Sequence, residues 1–218
     1  GAGISHENDT YSESNLITTD ASKSSAPAST DTGLIIVAGD AATSSGTEGV
    51  QITEGIVADS GEDGLGAASN ANDKEYGYPE GVFDFAIQGL PVPGESVNIV
   101  LPISGGIPAN AVYRQFESTK GWFNFEIDDD NFVSSSKGTS MSCPAAGNNA
   151  YSKGLNEGDF CLQLTIEDGG ANDADGTVNG AVDDPGGLAV DDNPPTVVAP
   201  DDANVEAESG SGVSLTNG

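Results

Sequence analysis

The stretch Val82-Phe83-Asp84-Phe85-Ala86-Ile87, closed by Pro91-Val92-Pro93-Gly94 and followed by Val97-Asn98-Ile99-Val100-Leu101, decides the fold class. Two runs of aromatic and β-branched residues flank a turn built from proline and glycine, and the second run alternates as a strand with one buried face does. The same pattern recurs on both sides. Upstream lie Leu34-Ile35-Ile36-Val37, then Val50-Gln51-Ile52 and Ile56-Val57, separated by glycine-containing breaks. Downstream, Ala111 to Phe116 and Trp122 to Ile127 flank Glu117 to Gly121, whose Lys120-Gly121 suits a hairpin turn. Phe160 to Ile166 is the last clear core strand. No segment sustains a helical period, so the chain reads as all-β, an antiparallel β-sandwich of the immunoglobulin or jelly-roll kind with extended N- and C-terminal segments.

This pattern divides the chain. Residues 1–32, rich in Ser, Thr, Asp and Asn, form a flexible or strand-donating leader, and residues 33–190 form the sandwich. Asp59 to Tyr76 is a loop or a second linker that is also able to carry acidic ligands. Residues 191–218 begin as an acidic, proline-rich linker at Asp191-Asp192-Asn193-Pro194-Pro195. They then run into a strand-like segment, Thr196-Val197-Val198-Ala199-Pro200 with Val205-Glu206-Ala207, that looks like the start of an immunoglobulin-like repeat.

Composition removes several classes of function. The chain has 218 residues, with 35 acidic side chains against six basic ones and a net charge of −29. Such a charge repels phosphate backbones and anionic headgroups, so nucleic acid and electrostatic membrane binding are excluded as partners. No apolar run approaches the roughly 20 residues that cross a bilayer, so direct membrane insertion is not expected either. The one histidine, His6, lies in the leader, which leaves the serines without an activating base. An enzyme is not expected. The two cysteines, Cys143 and Cys161, stand 18 positions apart with no Cys-x-x-Cys pair, and a single disulfide is the simplest reading. A disulfide implies an oxidising compartment, and the Asp, Gly, Ser and Thr richness is typical of exported surface proteins; the alternative is two buried free thiols in a cytosolic protein.

The acids are mostly short, and many sit among Gly, Asn and Ser, where carboxylates wrap a hard cation with several oxygens. The densest segment runs from Glu167 to Gly187, and Asp173-x-Asp175-Gly176-x-x-Asn179 matches part of a calcium-loop pattern. Asp168, Asn172, Asp183 and Asp184 complete a candidate Ca²⁺ ligand set. The competing reading is a cation-free loop in which Asp and Asn cap their own turns. Trp122 is the one ring of its strand placed to face outward as a ligand-stacking surface, for example for a glycan.

Several motifs resemble one family in order along the chain. Tyr78-Pro79-Glu80-Gly81-Val82-Phe83-Asp84-Phe85, Leu90-Pro91-Val92-Pro93-Gly94, Ile107-Pro108-Ala109-Asn110-Ala111-Val112-Tyr113-Arg114, Gly121-Trp122, Leu164 to Gly176 and Asp184-Pro185-Gly186-Gly187 resemble the choice-of-anchor U domain over residues 76–190. That domain occurs in secreted and surface-anchored bacterial proteins. The resemblance implies an extracellular, bacterial cell-surface location and brings no catalytic residues with it. Its cysteine pair is matched by Cys143-Pro144 and Cys161, which supports the disulfide.

The expectation from sequence is therefore a non-enzymatic structural or adhesive module, stabilised by calcium and a disulfide. Its partners would be neighbouring surface-protein modules or identical subunits. A subunit of an extracellular filament, joined to its neighbours by strand donation, is the second reading. A glycan-binding module is the third.

Overall fold

A computed structural model describes residues 28–41 and 65–193, together with the backbone strands at 12–14, 16–18 and 56–59. In chain order the strands are β1 (Ser12–Ser14), β2 (Leu16–Thr18), β3 (Ala28–Thr30), β4 (Ile35–Ala38), β5 (Ile56–Asp59), β6 (Tyr76–Gly77) and β7 (Val82–Gln88). They continue as β8 (Ser96–Pro102), β9 (Val112–Glu117), β10 (Gly121–Asn124), β11 (Phe132–Ser136), β12 (Ser152–Lys153), β13 (Cys161–Glu167) and β14 (Ala181–Asp191). One sheet has the order β1-β3-β8-β13-β11-β12 and the other β10-β9-β14-β7-β5-β2; β4 also lies beside β7, and β6 beside β14. Pairing is antiparallel except for β2 beside β5. The fold is an antiparallel β-sandwich.

The inner faces are set by alternation. Val97, Ile99 and Leu101 of β8 and Leu162, Leu164 and Ile166 of β13 meet Phe83, Phe85 and Ile87 of β7 and Leu188 of β14 in one fully buried core. Register keeps these residues level: Leu164 lies opposite Ile99, and Val182 opposite Ile87.

Each sheet is also covered on its outer face. A segment from Leu65 to Tyr78, containing two short 3-10 turns, packs Leu65 and Ala68 with Val82, Phe116 and Trp122 over the second sheet. This segment is not a linker. It is pinned by the chain's one arginine, Arg114, whose guanidinium donates to both carboxylate oxygens of Asp73 at 2.9 Å and to Asn124 at 2.8 Å, with Tyr76 stacked on it at 4.1 Å. The first sheet is covered by the loop between β11 and β13. The Cys143–Cys161 disulfide straps that loop down, and the Gly147 N–H donates to Gln163 Oε1 at 2.7 Å on the outward face of β13.

Three departures from the sequence reading have physical causes. The sandwich starts before residue 33, because Ala28–Thr30 is a fully buried strand whose small side chains fit against β8. The strand expected to reach Ile127 ends at Asn124; beyond it the Asn172 side chain takes the place of a partner strand, accepting from the Glu126 N–H and donating to the Glu126 carbonyl, both at 2.8 Å. The largest departure is β14. Asp183-Asp184-Pro185-Gly186-Gly187 reads as a loop, yet it forms the middle of an eleven-residue central strand. Pro185 falls just before pairing with β9 begins at Gly186. A side chain at Gly186 would meet the Arg114 carbonyl and Tyr113 Cε1 at 2.8 Å, so only glycine allows β9 to approach. The segments expected at 50–52, 196–200 and 205–207 lie outside the described residues.

Candidate functional site

The seven expected calcium ligands fall into two groups. Asp168, Asn172, Asp173, Asp175 and Asn179 lie in the connection between β13 and β14, while Asp183 and Asp184 lie within β14 itself. Chain geometry explains the separation: Asp183 and Asp184 are neighbours in a strand and point to opposite faces of the sheet.

The connection is organised around carboxylates that accept backbone hydrogen bonds. Asp168 is 1% exposed, and its Oδ2 accepts from the N–H groups of Gly94 and Gly180 at 2.8 Å while Oδ1 accepts from Asn179 N–H at 3.0 Å. One side chain thus ties together the turn before β8 and both ends of its own loop. Asp173, also 1% exposed, accepts from Gly169 N–H at 2.8 Å and from Asp183 N–H at 3.0 Å. Asp175 is exposed and accepts from Thr177 N–H at 2.7 Å and Asn179 Nδ2 at 2.8 Å, and Asn179 Oδ1 in turn accepts from Ala181 N–H at 2.9 Å. Asn172 is engaged with Glu126 as described. A buried N–H requires an acceptor, and here the short acidic side chains supply it.

This geometry bears directly on calcium. A Ca²⁺ ion takes six to eight oxygens converging on one point. Asp168, Asn172, Asp173, Asp175 and Asn179 each use a side-chain oxygen to accept from a backbone N–H, those of Gly94, Asn179 and Gly180, of Glu126, of Gly169 and Asp183, of Thr177, and of Ala181 respectively. Among the described residues, no group of three or more His, Cys, Asp or Glu side chains is placed to hold a metal ion. In this arrangement the loop's side-chain oxygens are engaged by N–H groups of the loop and its neighbours.

Asp183 and Asp184 occupy a different environment. Asp184 is fully buried on the inner face, where Tyr113 Oη donates to Oδ2 at 3.2 Å and Oδ1 has no hydrogen-bond partner among the described residues. Burial first, then the negative charges of Asp183, Asp84 and Asp173, push its carboxyl well above the usual carboxylate range, and the Tyr113 hydrogen bond opposes this only in part. Asp183 lies on the outer face and accepts from the Asp40 N–H. Burial, followed by repulsion from Asp84 and Asp40, raises it to about 7. Burial likewise raises Asp173 to about 6 against its two backbone hydrogen bonds. Asp183 borders a cavity of about 520 Å³, whose other walls include Asp40, Leu65, Phe116, Asp175 and Pro185.

The remaining candidates are placed as follows. Trp122 lies on the outer face of its sheet, but its ring packs against Tyr78 at 5.3 Å and Phe116 at 5.7 Å, and its Nε1 donates to the Ser69 carbonyl at 3.2 Å. The Leu65–Tyr78 segment therefore covers part of the Trp122 ring, which stays half-buried. Asp128, in the run Asp128-Asp129-Asp130, accepts from the N–H groups of Asp130 and Asn131 at 2.8 and 2.7 Å, an Asx turn. Sequence reasoning missed Asp73 and Arg114, although a lone arginine inside the apolar run Val112 to Phe116 is a signal for a buried acidic partner.

No family model matches the chain, and neither a curated protein nor a solved structure matches it.

Proposed function

We propose that this chain is a non-enzymatic structural or adhesive module of an exported, surface-located protein. One observation carries the reading: the Cys143–Cys161 disulfide, whose Cys161 is fully buried in β13, fastens a long loop over the outer face of the first sheet. A covalent strap in that position is useful where the chain leaves the reducing cytosol. The loop acids support the same view, because they act as fixed acceptors for backbone donors and so rigidify the end of the sandwich. The motif resemblance over residues 76–190 points the same way, but without a matching family model the weight rests on the disulfide and the loop.

The test is to produce the chain with and without a bacterial export signal, then count thiols with maleimide under denaturing conditions and challenge the native protein with protease. The reading expects no free thiol and a protease-resistant 137–160 loop in the exported protein, and a labile loop in the reduced cytosolic one. Equal resistance in the fully reduced protein would remove the argument for export.

A further inference from the structure

We propose that residues 12–18 are an exchangeable clasp, and that the surface they close accepts the same segment from a second copy of the chain. This inference rests on the structural-module reading and names the partner that the reading leaves open.

The clasp consists of two three-residue strands in tandem, separated only by Asn15. β1 pairs with β3, with Ser12, Glu13 and Ser14 opposite Thr30, Ser29 and Ala28. β2 pairs with β5, with Leu16, Ile17 and Thr18 opposite Ile56, Val57 and Ala58. β1 therefore ends the first sheet and β2 ends the second. β1 also lies against β4, a strand of the opposite sheet, so the segment steps across one side of the sandwich and covers both edges there.

Three properties make this segment exchangeable. It is joined to β3 by residues 19–27, a nine-residue tether able to span about 30 Å when extended. Its grip is small, three residue pairs on each sheet, while the edges it leaves behind carry unpaired N–H and C=O groups that template any matching strand. It is also poor in charge: of the seven residues Ser12-Glu13-Ser14-Asn15-Leu16-Ile17-Thr18, only Glu13 is acidic, in a chain of net charge −29. The strand opposite β1, Ala28-Ser29-Thr30, carries no charge. The clasp and the β3 strand it pairs with therefore place only one charge between two copies of so acidic a chain, while Asp59 at the end of β5 adds one more at the site.

Mass action sets when exchange occurs. A short tether gives the segment an effective concentration of roughly millimolar for its own edge, so copies must be packed to that density before exchange competes. Dense arrays on a surface provide such conditions. Each copy has one clasp and one clasp site, so exchange either closes reciprocally as a dimer or runs on from copy to copy as a ring or an open chain of subunits.

Cysteine pairing in trans provides the test. Full-length E13C and S29C single variants, with the native disulfide intact, are mixed at about 1 mM in a glutathione buffer, and cross-linked peptides are mapped by mass spectrometry. The control partner is T119C, in the exposed turn between β9 and β10, at the opposite edge of the second sheet from β2. The proposal expects the 13–29 cross-link between chains at least tenfold above the 13–119 cross-link, with the excess lost at micromolar protein. Equal yields overturn it. An E13C/S29C double variant separates the causes: closure within one chain at every concentration means the clasp stays on its own chain, which overturns exchange but leaves the module reading intact. No 13–29 closure of either kind removes the strand pairing, and the proposal with it.

Discussion

Replacing Asp168 with alanine tests how the acidic loop is held. Asp168 accepts three backbone N–H groups, from Gly94, Asn179 and Gly180, at 2.8 to 3.0 Å in a site that is 1% exposed. Removing the carboxylate strands three donors that the fold has taken from water. A stranded buried donor costs about 1 to 3 kcal/mol, and hydrogen bonds to a charged acceptor lie at the upper end. Full additivity would give about 6 kcal/mol or more, but the three donors share one side chain and the loop relaxes once it is gone, so a loss of about 4 kcal/mol is expected. For a domain of this size that corresponds to a fall of roughly 8 to 16 °C in melting temperature. Asp168→Asn, which retains an acceptor oxygen but not the charge, should lose about half as much. The assay is urea and thermal unfolding of both variants, each in millimolar calcium and in chelator at fixed ionic strength. The loss should be the same in both buffers. A loss below about 1 kcal/mol, or one present in calcium and absent in chelator, would refute the reasoning, the second outcome making Asp168 a cation ligand instead.

Three further outcomes follow from the same coordinates. Asp173 and Asp183 have carboxyls raised to about 6 and about 7, so the folded state favours their protonated forms. Their contribution is complete below the unfolded carboxylate range near pH 4 and is lost as pH rises through 6 and 7, so the melting temperature should fall between pH 5 and 8, and Asp183→Asn should flatten the upper part of that fall. Gly186→Ala places a methyl group 2.8 Å from the Arg114 carbonyl and should cost about 3 kcal/mol in equilibrium unfolding while leaving the disulfide formed. The double variant Cys143→Ser, Cys161→Ser should lose about 3 kcal/mol, with new proteolytic cuts mapped by mass spectrometry to residues 137–160.

Much of the sandwich was legible because its core strands carry strict alternation. Val97/Ile99/Leu101 and Leu162/Leu164/Ile166 each place three large apolar side chains on one face, and the Lys120-Gly121 turn does join β9 to β10, with Gly121 at a positive φ of 76°. The strands that were not legible lack that signal. β11 places Ser135 opposite Leu162 on the inner side, where its hydroxyl donates to Asp159 at 2.7 Å, and a serine there gives no hydrophobic period. β14 is hidden by two acids, a proline and two glycines, each a local breaker that tertiary packing overrides: Gly186 is required by the close approach of β9, and Asp184 is held beneath Tyr113. The acidic loop was legible as a cluster but not as a mechanism. Spacing places Asp168, Asp173 and Asp175 near one another, whereas the structure shows which backbone donors they hold, the N–H groups of Gly94, Gly169, Asp183 and Thr177.

The backbone hydrogen bonds held by these acids are what rigidify the end of the sandwich, and amide hydrogen exchange measures them directly. In chelator, the amides of Gly94, Gly169, Asn179, Gly180 and Asp183 should be protected to an extent comparable with the β13 core, and added calcium should leave them unchanged. Rapid exchange of these five in chelator, with protection appearing only when calcium is added, would contradict the account.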